Sequence, residues 1–200
     1  KFDGDLSGTT GLAKRLEGIK ISLPGQDYTG EITYQTHVQT YGWQAESKDG
    51  ETSGTIGESK RLEAIKISLK NYGNVSVTYR THAQTYGWLN WVKDGSLSGT
   101  VNESKRLEAI EIKLEGTDAS KYDIYYRAYA QTYGWLGWAK NGESAGTEGA
   151  YKRLEAIQIK IVEKGKAAPG STNNHFVKLT SADLPQLELQ FQTHVQTYGW

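Results

Sequence analysis

The sequence predicts an all-β protein made of tandem repeats of about 46 residues, and three observations carry that prediction. The first is self-similarity. "RLEGIKI" at Arg15 returns as "RLEAIKI" at Arg61, "RLEAIEI" at Arg106 and "RLEAIQI" at Arg153, and "QTYGW" ends at Trp43, Trp88, Trp135 and Trp200. A fixed period of this size marks a repeat architecture, in which a unit buries its apolar face only against its neighbours. The second is alternation. In "VSVTYRTHAQT", Val75, Val77, Tyr79, Thr81 and Ala83 face one way, and Thr78, Arg80, His82, Gln84 and Tyr86 the other. Period two means a half-buried strand. The third is that no window of about 11 residues or more holds a helical periodicity.

Each unit opens with a strand rich in Tyr, Gln and Thr and runs into YGW. A DG or NG turn and an SGT marker follow: "DGDLSGT" ending at Thr9, "DGETSGT" at Thr55, "DGSLSGT" at Thr100 and "NGESAGT" at Thr147. Asp-Gly and Asn-Gly signal two-residue hairpin turns, because both central residues need positive φ. In "RLEAIKISL", Ile65, Ile67 and Leu69 share a face, yet Arg61 and Glu63 have the same parity. A twist out of the core or a β-bulge must reset the face there.

The units span about 28–69, 75–114 and 121–161, with a split fourth unit in 187–200 plus 1–23. Joining the two end pieces predicts a pseudo-symmetric closed assembly, a four-unit ring or small propeller, since closure removes exposed sheet edges. The alternative is a three-unit β-prism or β-trefoil-like fold with overhanging halves cut from a longer array. Residues 163–186 hold two of the three prolines and read as an insertion or linker, with a short strand at His175–Leu179.

Lys and Arg balance Asp and Glu at 23 each, which gives no general attraction to nucleic acid or acidic membranes. No apolar run approaches the roughly 18 residues of a membrane span. With no cysteine, disulfides and thiol chemistry are excluded. No signal peptide is visible and methionine is absent, so the chain reads as a processed or excised segment. The sequence has no P-loop, GxSxG, HExxH or D-x-D-x-D-G pattern. It predicts no catalytic centre, cofactor or metal.

Two sets of aromatics compete as contact residues. Trp43, Trp88, Trp135 and Trp200 of YGW recur in every unit, as a packing plug would, and are secondary candidates. Trp91 and Trp138, three residues further on, are replaced by Glu46 in the first unit. A position that accepts Glu is expected to be exposed at least in part, which favours Trp91 and Trp138 as contacts. The strand face before each YGW adds hydrogen-bonding groups suited to an amphipathic ligand. These are Gln35, His37, Gln39 and Tyr41, then Arg80, His82, Gln84 and Tyr86, then Arg127, Tyr129, Gln131 and Tyr133, and His194, Gln196 and Tyr198. Tyr129 in the histidine position argues against a metal site, which needs three or four converging ligands. Arg61/Glu63, Arg106/Glu108 and their equivalents read as repeated inter-unit salt bridges that fix register, and remain secondary candidates.

The segments "YRTHAQTYGWLNWVKDGSLSGTVNESKRLEAIEIKL" and "YYRAYAQTYGWLGWAKNGESAGTEGAYKRLEAIQIKI" resemble the ChW family, the clostridial hydrophobic repeats with a central Gly-Trp. The likeness covers nearly the whole chain. It departs at Glu46, which interrupts the W-x-x-W pair of the first unit. The resemblance implies a secreted or surface-attached protein of Gram-positive anaerobes, with binding of carbohydrate, cell wall or protein. Repeats and aromatic strand faces together lead to the expected function: a non-catalytic, multivalent, lectin-like module for a glycan or cell-wall polysaccharide. The alternative is a protein–protein interaction, surface-assembly or adhesion module.

Overall fold

The computed structural model describes residues 30–183. The split fourth unit, with His194, Gln196, Tyr198 and Trp200, lies outside them. Each of three described units carries two long strands and three short ones. In the first, β1 (Glu31–Val38) is followed by β2 (Gly42–Trp43), β3 (Ser47–Lys48), β4 (Ser53–Gly54) and β5 (Leu62–Lys70). The second repeats this as β6 (Ser76–Ala83), β7 (Gly87–Trp88), β8 (Val92–Lys93), β9 (Ser98–Gly99) and β10 (Leu107–Glu115). The third has β11 (Tyr122–Ala130), β12 (Gly134–Trp135), β13 (Ala139–Lys140), β14 (Ala145–Glu148) and β15 (Leu154–Glu163). A final short strand, β16 (Phe176–Lys178), falls where the insertion was expected to form one.

The long strands pair antiparallel within a unit: β1 with β5, β6 with β10, β11 with β15. The SG strands do not stay at home. β9 of the second unit adds to β5 of the first, β14 of the third to β10 of the second, and β4 of the first to β15 of the third. The exchange returns to its start after three units, where the expected ring needed four. Each sheet remains open, and none closes into a barrel among the described residues.

This exchange corrects the hairpin expectation. The DG turns form as the sequence requires, with positive φ at Asp49 and Gly50, Asp94 and Gly95, and Asn141 and Gly142. The strand after each turn then leaves its own sheet for another unit's. Glycine is needed there: at Gly99, φ is +116° and a Cβ would sit 2.4 Å from the Glu63 carbonyl oxygen.

The apolar faces meet in one shared core. Ile32, Tyr34, Ile65 and Ile67 of the first unit pack with Val77, Tyr79, Ile110 and Ile112 of the second and with Ile124, Tyr126, Ile157 and Ile159 of the third. A smaller cluster near the QTYGW ends holds Val38, Leu62, Ala83, Leu107, Ala130, Leu136 and Leu154.

Three buried tyrosines tie the units. Tyr34 donates its hydroxyl proton to the Glu51 carbonyl and accepts the Ile159 N–H at 3.2 Å. Tyr79 donates to Ser96 and accepts from Ile67 at 3.0 Å. Tyr126 donates to Glu143 and bonds the backbone of Ile112. Each hydroxyl thus joins its own turn to a neighbouring unit's long strand. Burial pushes the Tyr34 and Tyr79 phenols up to about 12.

Tyr79→Phe strands the Ile67 N–H and the Ser96 carbonyl, and should cost about 1–3 kcal/mol in denaturant unfolding. The raised phenol pKa gives a second expectation. Folding contributes its full stabilisation below the ordinary tyrosine value of 10.0, and loses it as pH rises through 10 towards 12. Thermal melts across that window should show a falling midpoint, shallower in Tyr79→Phe; a flat profile would contradict the assignment.

Candidate functional site

The long strands carry the site residues, and a bulge aims them. His37 pairs with Ala64, but Val38 pairs with Leu62, so Glu63 is an extra residue. The same shift leaves Glu108 extra in β10 and Glu155 in β15. A bulge of this kind turns its side chain out of the regular alternation. It explains how a glutamate shares parity with core isoleucines. Its backbone serves the exchange: the Glu63 carbonyl accepts the Thr100 N–H at 2.9 Å, and the Glu155 carbonyl that of Thr55 at 2.9 Å.

Each bulge glutamate meets an arginine of its own unit, and in the first two units a histidine as well. Arg61 Nε donates to Glu63 Oε1 at 2.8 Å, and His37 Nδ1 lies 3.0 Å from Oε2. The second unit repeats both contacts, at 2.8 Å for Arg106 and 3.1 Å for His82. The histidine nitrogen comes close to the carboxylate without hydrogen-bond alignment. In the third unit Arg153 holds Glu155 at 2.8 Å, and Tyr129 stands in the histidine position. The arginine–glutamate pairs are therefore intra-unit, which corrects the expected inter-unit bridge. Inter-unit register comes instead from the SG strands and the tyrosine hydroxyls. Burial raises the Glu108 carboxyl, and its contacts with His82 and Arg106 more than reverse that, leaving it below the ordinary value.

Above each cluster the QTYGW turn arches over with threonine in the left-handed region, at φ 67° for Thr40, 71° for Thr85 and 69° for Thr132. For a β-branched residue that is strained backbone. Two clefts form where this turn meets the next unit's loop. His37, Gln39, Thr40, Arg61 and Glu63 face Asn102 and Ser104 across about 470 Å³. His82, Gln84, Thr85, Arg106 and Glu108 face Gly149 and Tyr151 across about 370 Å³. Tyr41 and Tyr86 stand outside, about half exposed, each donating to a glutamate, Glu58 and Glu103, at 2.7 Å. Gln131 is half-buried and Tyr133 exposed at the same positions of the third unit.

The tryptophans depart from expectation. Trp43, Trp88 and Trp135 are half-buried, neither sealed plugs nor open platforms. Their rings meet the side chain at the histidine position edge-on, His37 at 5.4 Å, His82 at 5.4 Å and Tyr129 at 5.5 Å between centroids. Trp88 also donates its Nε1–H to Glu148 of the third unit at 3.2 Å, a packing role. Trp91 is 37% exposed, as expected of a contact residue, but already carries Arg80 and Lys113 against its ring. Trp138 corrects the expectation of exposure: it is 5% exposed. The segment Gly170–Asn174 covers it, with the Trp138 N–H donating to Ser171 at 2.9 Å. Gly137 makes this docking possible, because a Cβ there would lie 2.1 Å from the Asn173 carbonyl oxygen. The second unit has Asn90 at that position, and among the described residues no segment docks on Trp91. This was a missed signal, "LGW" against "LNW", in otherwise matching repeats.

Sequence reasoning puts Arg80 and Arg127 on the strand face beside YGW, but does not show that each lies between a pair of tryptophans. Arg80 lies 4.9 Å from Trp88 and 4.8 Å from Trp91. Arg127 lies 4.5 Å from Trp135 and 4.9 Å from Trp138. The first unit has Gln35 and Glu46 at the two positions, so the arginine and the second tryptophan are lost together. Cation and indoles form one packed unit. On the open side of Arg127 is a third cleft of about 550 Å³, walled by Trp135, Tyr133, Ser171, Asn173 and Asn174. Among the described residues no group of three His, Cys, Asp or Glu side chains could hold a metal ion, and no helix is long and apolar enough to cross a membrane.

The repeats, the bulge glutamate and the W-x-x-W cation sandwich define a class: an all-β repeat protein with a polar cleft at the junctions between units. The profile of the ChW family, Clostridial hydrophobic W, matches residues 2–25, 37–71, 82–116 and 129–163, and the chain belongs to that family. No curated protein and no solved structure matches the chain significantly.

Replacing Glu108 by glutamine should lower stability near neutral pH by about 1–3 kcal/mol, because Arg106 loses its charged acceptor in a half-buried site. The folded carboxyl titrates below its ordinary value, so its contribution is present above about pH 4.5 and fades as pH falls further. The gap between the two proteins in urea midpoint should therefore close on acidification. A gap that widens would rule out the ion pair as its source.

Proposed function

We propose that this chain is a non-catalytic, multivalent glycan-binding module that works outside the cell. The observation that carries this reading is the repeated inter-unit cleft. The same half-buried Gln, His and Arg recur around the His37–Glu63 and His82–Glu108 contacts, beneath the same strained turn. Convergent polar groups of this kind suit a ligand rich in hydroxyls. Strained backbone kept at equivalent positions of each unit is a mark of binding or switching sites. Closure of the three described units through their SG strands is the architecture this reading uses. The clefts then lie at successive junctions, and weak sites linked in one chain gain affinity for a repeating polymer.

The competing reading is protein–protein assembly. It calls for a flat apolar patch, whereas the exposed large apolar side chains among the described residues, Tyr41, Ile56, Tyr86, Trp91, Leu97, Tyr133 and Tyr151, are divided among all three units.

A glycan array followed by calorimetric titration of the best neutral oligosaccharide tests the proposal. Binding should be tighter to an immobilised polymer than to the free oligosaccharide. The double variant Gln39→Ala/Gln84→Ala should weaken it about tenfold or more with no change in melting temperature. An array with no saccharide above background, or full affinity in the folded variant, would defeat the reading.

A further inference from the structure

Position 127 sets the third unit apart. The structurally equivalent side chains are Gln35, Arg80 and Arg127, and their cross-strand partners are Lys66, Glu111 and Gln158. Charge is settled differently in each. In the second unit Arg80 Nε pairs with the Glu111 carboxylate at 2.6 Å, so the guanidinium is neutralised in place. In the third, Arg127 Nε donates to the neutral Gln158 Oε1 at 2.7 Å, and among the described residues no carboxylate reaches the guanidinium. A guanidinium has five N–H donors. Only one is used here, while the indoles of Trp135 and Trp138 hold the group in place. That group lines the 550 Å³ cleft, whose other walls are uncharged: Trp135, Tyr133, Ser171, Asn173 and Asn174.

We infer that the third unit's cleft takes a saccharide bearing an oxyanion, a carboxylate or a phosphate, which pairs with Arg127. The inference rests on the glycan-binding reading and narrows it to an acidic ligand at one of the three units. A fixed planar fork of N–H donors matches either oxyanion in two-point contact. The flanking indoles keep the fork oriented before the ligand arrives, so little side-chain freedom is lost on binding. The hydroxyl and amide groups of Tyr133, Ser171 and Asn173 then remain for the sugar hydroxyls. Among the described residues the second unit lacks both conditions: its arginine is paired, and no segment docks on Trp91 to form the wall.

The test uses two matched pairs of ligands, trigalacturonic acid with its methyl ester and glucose 6-phosphate with glucose, titrated calorimetrically into the intact chain. At least one acidic member should bind about tenfold tighter than its neutral partner. Added salt should weaken only the acidic member. Which pair shows the preference identifies carboxylate or phosphate. Gln158→Glu rebuilds the Arg80–Glu111 pair at this site, and Arg127→Gln reproduces Gln35. Both have precedent within the chain and should keep the near-ultraviolet circular dichroism, and both should abolish the preference. Equal binding of acid and neutral partner would overturn the inference and leave glycan binding intact. So would a preference that survives Gln158→Glu, or inorganic phosphate binding as tightly as the sugar phosphate. Silence of all four sugars, together with an empty glycan array, would overturn both readings.

Discussion

The buried tyrosine hydroxyls of Tyr34, Tyr79 and Tyr126 hold the three units in one arrangement. Apolar contact alone would not, because isoleucine layers from neighbouring sheets can slide or rotate at little cost. A hydroxyl that donates to its own unit's turn and accepts from a neighbour's long strand leaves no such freedom. Moving one unit by a residue would leave two polar groups unsatisfied in the core, which is a severe penalty there. The SG strand adds a second constraint of the same kind. Its glycine lets the backbone approach the neighbour's bulge, and the glutamate carbonyl accepts the N–H of the following threonine.

The bulge links scaffold to site. Glu63 and Glu155 each use the carbonyl to receive another unit's strand, and all three bulge glutamates use the carboxylate to hold the arginine beneath the QTYGW turn. The cleft is therefore placed by the same residue that joins the units. A change in how two units dock would be felt at the cleft, and the clefts exist only in the assembled form.

Much of this was legible in the sequence. Alternation in "VSVTYRTHAQT" puts Val75, Val77, Tyr79, Thr81 and Ala83 on one face; the last four are buried and Val75 half-buried, while Thr78 of the other face is buried too. The parity conflict at Arg61 and Glu63 required a bulge or twist, and a bulge is there. What escaped were features that depend on which unit a strand pairs with. Nothing in "DGSLSGT" says that its strand crosses to another sheet, so the turn looked like an ordinary hairpin and the arginine–glutamate pair was assigned to the wrong interface. Paired differences between repeats did hold part of the answer. Thr36 with Ser53 and Thr81 with Ser98 are hydrogen-bonded at 2.9 Å, and the third unit replaces both members by Ala128 and Ala145. Gln35 with Glu46 against Arg80 with Trp91 is a second such pair. Positions that change together between copies of one repeat touch in the folded chain, and here the copies themselves supplied the comparison.

The same logic explains why near-identical units carry unequal sites. The exchange strand, the bulge and the tyrosine are retained in all three because each serves a neighbour, so altering one damages two units. The outward strand face is where the units diverge, and its contacts with neighbours are single polar bonds, Ser144 to Glu111 at 2.7 Å and Gln158 to Thr52 at 2.9 Å. His37 and His82 give way to Tyr129, Lys66 and Glu111 to Gln158, and Asn90 to Gly137. These substitutions cluster around the tryptophans and the clefts, and they alter charge and access without touching the shared core. A repeat array that conserved its surface as strictly as its core would be three copies of one site. This one keeps a common frame and varies the electrostatics of each opening, most sharply at Arg127, where a cation fixed between two indoles faces solvent instead of a carboxylate.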